Sequence, residues 1–102
     1  MKENKFGLKE KDWELLRHIL IIPLQAHKCK IWIFGSRAIG SFRLFSDIDI
    51  LFEPTQTIPS DLIGQIKEDL ENSNLPIKVD LVQRKHLAKN YLPIVESQMI
   101  RL

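Results

Sequence analysis

Gly35 to Asp49 reads GSRAIGSFRLFSDID, preceded by the apolar run Ile31-Trp32-Ile33-Phe34 and merging into a second, Ile48-Ile50-Leu51-Phe52. The first run is short, made of β-formers and stopped by Gly35, as a buried strand would be. Strand side chains alternate faces, so Asp47 and Asp49 direct both carboxylates to one side. Such a pair repels itself and loses hydration when buried, and a cation relieves both penalties. A Gly-Ser turn leading into a helix offers backbone N–H groups and a hydroxyl, which suit a phosphate. A cation and a phosphate side by side point to a nucleotide.

Toward the N-terminus, a helix begins near Leu8. Trp13, Leu16 and Leu20 share one face with Ile19 adjoining, while Glu10, Lys11, Glu14 and Arg17 lie elsewhere. Pro23 should end or kink this helix near Ile22, and Leu24 to Lys30 reads as an irregular or helical tail. Residues 1–7 are polar apart from Phe6 and Gly7 and are expected to fray.

Toward the C-terminus, Ser36 to Ser41 forms a short helix broken by Gly40, Phe42 to Ser46 a loop, and Asp47 to Phe52 a second strand stopped by Glu53-Pro54. Thr55 to Pro59 is a linker. Ser60 caps a helix with Asp61 in its first turn, and Leu62, Ile63, Ile66 and Leu70 share its face as far as Glu71. After a turn at Asn72 to Asn74, Ile77 to Val82 alternates as a third strand. Ile77, Val79 and Leu81 fall on one side, and Lys78, Asp80 and Val82 on the other, so a lone carboxylate, Asp80, stands mid-strand. A short helix is expected around His86 to Tyr91, and Pro93 opens a last helix carrying Ile94, Val95, Met99 and Ile100. Strands alternating with helices give an α/β (α+β) fold. The sheet should be mixed, because the short connection between the first two strands can return antiparallel.

The chain has 102 residues, 44% of them hydrophobic and 27% charged, which fits one globular domain spanning 1–102 rather than a disordered segment. Fifteen basic against 13 acidic residues leave a net charge of +2, too small an excess to imply direct DNA binding. The lone Cys29 has no disulfide partner in the chain and reads as a half-buried thiol in a reducing compartment. No secretory signal is visible, and the longest apolar stretch, Ile19 to Leu24, is interrupted by Pro23 and too short to span a membrane. A cytoplasmic protein is expected.

Gly35-Ser36-Arg37, Gly40-Ser41, Ser46-Asp47-Ile48-Asp49 and the later Val79-Asp80-Leu81 together resemble the DNA polymerase β-like nucleotidyltransferase superfamily. The short chain is most similar to its MNT type, the minimal nucleotidyltransferases. The family pattern is Gly-Ser, a gap of about ten residues, Asp-x-Asp, and a third acid on a neighbouring strand. Ten residues separate Ser36 from Asp47 here. The resemblance spans Ile31 to Val82, and Ile94 to Leu102 looks like the family's C-terminal helix. It implies that Asp47, Asp49 and Asp80 are catalytic and hold Mg2+, two ions in the family's scheme, with Asp80 the third acid and base. It implies that Gly35, Ser36 and Arg37 bind the nucleotide's phosphates. It also implies ATP as substrate and a HEPN-type helical protein as partner. In such toxin–antitoxin pairs the MNT chain is the antitoxin and transfers AMP to a tyrosine of the HEPN toxin. The alternatives are a binding module that neutralises its partner by complex formation, or nucleotidyl transfer to a small molecule or an RNA end.

Each assignment has a plainer counterpart. The three aspartates could be solvated carboxylates on an exposed sheet face, and Arg37 a surface ion-pairing residue. Arg43, between the two motifs, is placed to touch nucleotide or target. Ser46 is read as satisfying the loop backbone. His18, His27 and His86 lack metal-ligand spacing. Trp13, Leu16 and Trp32 read as core, and the basic residues Lys2, Lys5, Lys9, Lys11, Lys28 and Lys30 as a solvated face.

Overall fold

Four strands, β1 (Cys29–Phe34), β2 (Ile48–Pro54), β3 (Val79–Gln83) and β4 (Ile100–Arg101), make one sheet in the order β3-β2-β1-β4 in the computed structural model, which describes residues 5–102. β1 runs antiparallel to β2 and β4, and β2 runs parallel to β3, so the sheet is mixed as expected. Helices α1 (Glu10–Leu16), α2 (Ile22–Ala26), α3 (Ser36–Ile39), α4 (Leu62–Glu71) and α5 (Leu92–Gln98) complete the layers.

The alternation of strand residues produces two apolar clusters. Ile31, Ile33, Ile48, Ile50, Phe52 and Leu81 face one side, where Leu8, Leu16, Leu20, Leu24 and Ile66 cover them. Trp32 and Leu51 face the other side and are covered by Val95 of α5. This second layer is narrower, and in the row beside it Asp49 is half-buried and Asp80 exposed. Burial of these side chains is the main favourable term holding the sheet, at roughly 25 cal/mol per Å2 of apolar surface.

Several local expectations are corrected. Pro23 does not end the first helix, because a π-helical segment, Arg17–Ile21, precedes it. Ile22 N–H bonds to Arg17 O, and the shifted register places Pro23 in the first turn of α2, where its missing N–H leaves no gap. Pro54 remains in the ladder opposite Cys29 instead of stopping it. α4 starts at Leu62, capped by Asp61 without a side-chain hydrogen bond, so Ser60 is not the cap. The region from Arg84 gives only a 3-10 turn, Arg84–His86. The last helix ends at Gln98, and Ile100–Arg101 pairs with Trp32 and Ile33 as a strand rather than extending the helix.

Fraying of residues 1–7 was expected. Residues 1–4, with Lys2, lie outside the described residues. Lys5–Gly7, by contrast, forms a 3-10 turn with Phe6 (φ 66°) and Gly7 (φ 71°) in left-handed conformations. A Cβ at Gly7 would collide with the Phe42 ring, so the turn is built against the loop that follows α3. Among the described residues, no helix is long and apolar enough to cross a membrane.

Candidate active site

The second motif lies where β2 begins. Asp47 precedes the strand and is exposed, Ile48 is buried, and Asp49 is half-buried on the strand itself. Ile48 N–H donates to Lys78 O at 2.9 Å, which locks β2 to the start of β3. The parallel register then sets Asp49 directly opposite Asp80, and the antiparallel register sets Phe34 opposite Asp49 on its other side. Residues directly opposite share a sheet face. Phe34, Asp49 and Asp80 therefore form one row across three strands, next to the row of Trp32, Leu51 and Val82.

Gly35 follows Phe34 with φ 75° and ψ −158°, a conformation open to glycine alone. Its Cα faces the Asp49 carboxylate so closely that a Cβ would overlap Oδ2. The glycine of the first motif thus makes the room in which the second motif's carboxylate sits. Ser36 begins α3 and is half-buried, and Gly40 ends the helix in the left-handed region at φ 83°.

The electrostatics reflect this crowding. Burial pushes the Asp49 carboxyl above its usual range, and the neighbouring Asp80 and then Asp47 carboxylates push it further. A divalent cation would reverse both causes, so the donor chemistry fits a hard, oxygen-seeking ion. Among the described residues, no three His, Cys, Asp or Glu side chains converge into a ready cage. An ion here would take one or two carboxylates and complete its shell with phosphate oxygens and water, as Mg2+ commonly does.

Arg37, expected to contact phosphate, is held inside the fold. Its side chain is 2% exposed and lies against backbone carbonyls rather than in open solvent. Nε donates to Ser46 O at 3.0 Å, Nη2 to Leu44 O at 3.3 Å and Nη1 to Phe6 O at 2.9 Å. The guanidinium carbon also lies 5.1 Å from the centroid of the Phe42 ring. Ser46 satisfies the loop as read from the sequence, its Oγ accepting from Arg43 N–H at 2.7 Å. Arg43 itself is exposed, as are Leu44 (72%) and Phe45 (69%) beside it.

Two features were missed in the sequence. Arg84 and Arg101 both lie over the Trp32 ring, at 5.4 and 5.5 Å from its centroid, while Arg84 also pairs with Glu53 and Glu96. Asp12 occupies the Leu8-Leu16-Leu20-Leu24 stripe, 4% exposed, and its Oδ1 has no hydrogen-bond partner. The four-residue spacing from Leu8 to Leu24 was the available signal for the second.

Residues 21–98 match the family described as Polymerase beta, Nucleotidyltransferase. The chain is 30% identical over 70 residues to the "Probable protein adenylyltransferase MntA" of Haemophilus influenzae, an alignment covering 66% of this chain and 59% of that protein. It thus spans under two thirds of the length of this curated relative. Among solved structures, it is similar to a toxin–antitoxin crystal structure with AMP-PNP, with 26% identity and a TM-score of 0.63, covering 83% of this chain and 70% of the other. The fold is also shared with a complex of tri-AMPylated Shewanella oneidensis HEPN toxin with MNT antitoxin, with 24% identity, a TM-score of 0.57, and coverage of 86% and 69%.

Proposed function

This chain belongs to the polymerase beta nucleotidyltransferase family, and we propose that it transfers AMP from ATP to a tyrosine of a HEPN-type toxin, acting as the antitoxin of the pair in the cytoplasm. Residues 1–102 would act as one minimal nucleotidyltransferase domain. The observation that carries the reading is the Asp49–Asp80 register pair, with Gly35 turned under Asp49 and Asp47 leading into the same strand. The similarity to MntA and to the AMP-PNP-bound toxin–antitoxin structure supports the choice of nucleotide and partner.

Asp47 and Asp49, with Asp80 on the neighbouring strand, would hold Mg2+. When bound, the ion would neutralise phosphate charge and stabilise the attacking and leaving oxygens during in-line displacement. Gly35 lets the triphosphate approach the backbone, and the Ser36 hydroxyl can donate to it. Asp80 is exposed on the outermost strand, where an acceptor from another protein can reach it. Its carboxylate takes the proton of the acceptor hydroxyl as that oxygen bonds to the α-phosphorus. The bond from the α-phosphorus to the bridging oxygen breaks, and pyrophosphate leaves. Arg37 takes no part in phosphate binding in this scheme, since its guanidinium is buried among carbonyls.

The test is transfer of labelled AMP from ATP to a cognate HEPN-type chain. Wild-type protein should label it, and an Asp47→Ala, Asp49→Ala double variant should not. Full labelling by the double variant would refute the assignment. The exposed Leu44 and Phe45 favour one second reading, neutralisation by docking alone. Inhibition of the toxin at equal strength without ATP or Mg2+ would select it.

A further inference from the structure

Asp47 is exposed, and no hydrogen bond or ion pair of its side chain is seen among the described residues. Its placement therefore depends on its two backbone neighbours. On the C-terminal side, Ile48 is fixed by the sheet through its hydrogen bond to Lys78 O. On the N-terminal side, Ser46 O accepts from Arg37 Nε at 3.0 Å, and Ser46 is further tied to Arg43 by the Oγ contact and by its own N–H at 3.1 Å. Arg37 then reaches Leu44 O in the same loop and Phe6 O in the N-terminal turn. Three carbonyls from two separate segments converge on one planar fork, and Phe42 closes over it.

We infer that Arg37 is a positioning residue. It holds the Phe42–Ser46 loop against the Lys5–Gly7 turn and thereby fixes Asp47 where it can bind a divalent cation together with Asp49. The inference rests on the metal role proposed above for Asp47. A guanidinium suits the task because its donors radiate in a fixed plane, whereas a lysine ammonium is a compact point donor that cannot satisfy three carbonyls so far apart. Direct phosphate binding by Arg37 would require the side chain to leave a site where it is 2% exposed and release all three carbonyls.

The test is Mn2+ binding, measured by water-proton relaxation, to the full chain in the presence of a non-hydrolysable ATP analogue. Arg37→Lys should weaken Mn2+ binding about ten-fold, the scale of supporting-residue substitutions around metal sites. Affinity for the analogue at saturating Mn2+ should stay unchanged. Phe42→Ala, which removes the ring beneath the guanidinium and leaves the arginine in place, should shift Mn2+ binding in the same direction by a smaller factor. It also covers the case in which Arg37→Lys fails to fold. Leu20→Ala, a core substitution remote from the loop, should lower thermal stability without changing Mn2+ binding.

Weaker analogue binding by Arg37→Lys at saturating Mn2+, with unchanged metal binding, would make Arg37 a phosphate ligand and overturn the inference. Loss of stability in Arg37→Lys and Phe42→Ala with metal binding equal to wild type would also overturn it, leaving a purely structural residue. Wild-type protein that binds no Mn2+ would remove the proposed function along with this inference. Equal binding by wild type and variants would remove this inference alone.

Discussion

Replacing Gly35 with alanine tests the geometry of the acid pair most directly. The residue sits at φ 75° and ψ −158°, outside the regions that a Cβ tolerates, which costs about 1–3 kcal/mol. The new methyl would also overlap Asp49 Oδ2, and the carboxylate must swing aside at a further cost of about 1–3 kcal/mol if the packing resists. Together these remove a large part of the 5–15 kcal/mol typical of a domain. At about 4–8 °C per kcal/mol for a chain of this size, the midpoint should fall by at least about 8 °C. Displacing Asp49 by an ångström should reduce AMP transfer on the order of 100-fold.

Gly40→Ala supplies the internal control. Its φ of 83° and ψ of 9° impose left-handed strain of about 1–2 kcal/mol, but nothing lies within 4 Å of the added Cβ. It should melt about 4–16 °C lower and keep its activity. Thermal melts and AMP-transfer assays of both variants decide the matter. Gly35→Ala no worse than Gly40→Ala in either assay would refute the claim that the glycine makes room for the carboxylate.

Three further substitutions probe other parts of the molecule. The raised Asp49 pKa means that the folded protein holds this proton more tightly than the unfolded chain, so stability falls as pH rises from the ordinary carboxylate range through the raised value. Asp49→Asn should therefore melt higher than wild type at neutral pH without metal, the gap closing near pH 3; a pH-independent difference would refute this. Asp12→Leu should stabilise the protein by about 1 kcal/mol in urea titrations, because it removes a buried oxygen without a partner from an apolar stripe. Arg84→Ala should cost about 1 kcal/mol in the same titrations through loss of the Trp32 contact and the Glu53 and Glu96 pairs.

What could be read from sequence followed periodicity. The first three strands carry apolar runs long enough to mark them, and simple alternation sets Asp80 mid-strand, where the parallel register pairs it with Asp49. β4 has two residues, too few to show a period, and its pairing depends on β1 being available as a template. Pro23 does not end the helix as one half of the expectation had it, because a π segment upstream changes which N–H groups the helix needs. The surroundings of Arg37 were not legible for a different reason. In a Gly-Ser-Arg motif the arginine reads as a free cation, and only the distant Phe6 turn and the Phe42 ring turn its surroundings into an interior. Of the expected site residues, the register sets Asp49 opposite Asp80 and Gly35 lies against Asp49, Asp47 leads into the same strand, and Arg37 stands behind the loop.

The two tryptophans occupy opposite sides of the sheet. Trp13 belongs to the helical layer, its ring centroid 6.2 Å from that of Phe6, while Trp32 is 8% exposed, packed with Val95 of α5 and in contact with two arginines. Fluorescence therefore reports on each layer separately once one indole is replaced by phenylalanine. With Trp32 alone, emission should shift to the red when the C-terminal strand detaches and Arg101 leaves the ring. With Trp13 alone, the same event should pass almost unseen, and departure of the Phe6 turn should be what changes the signal.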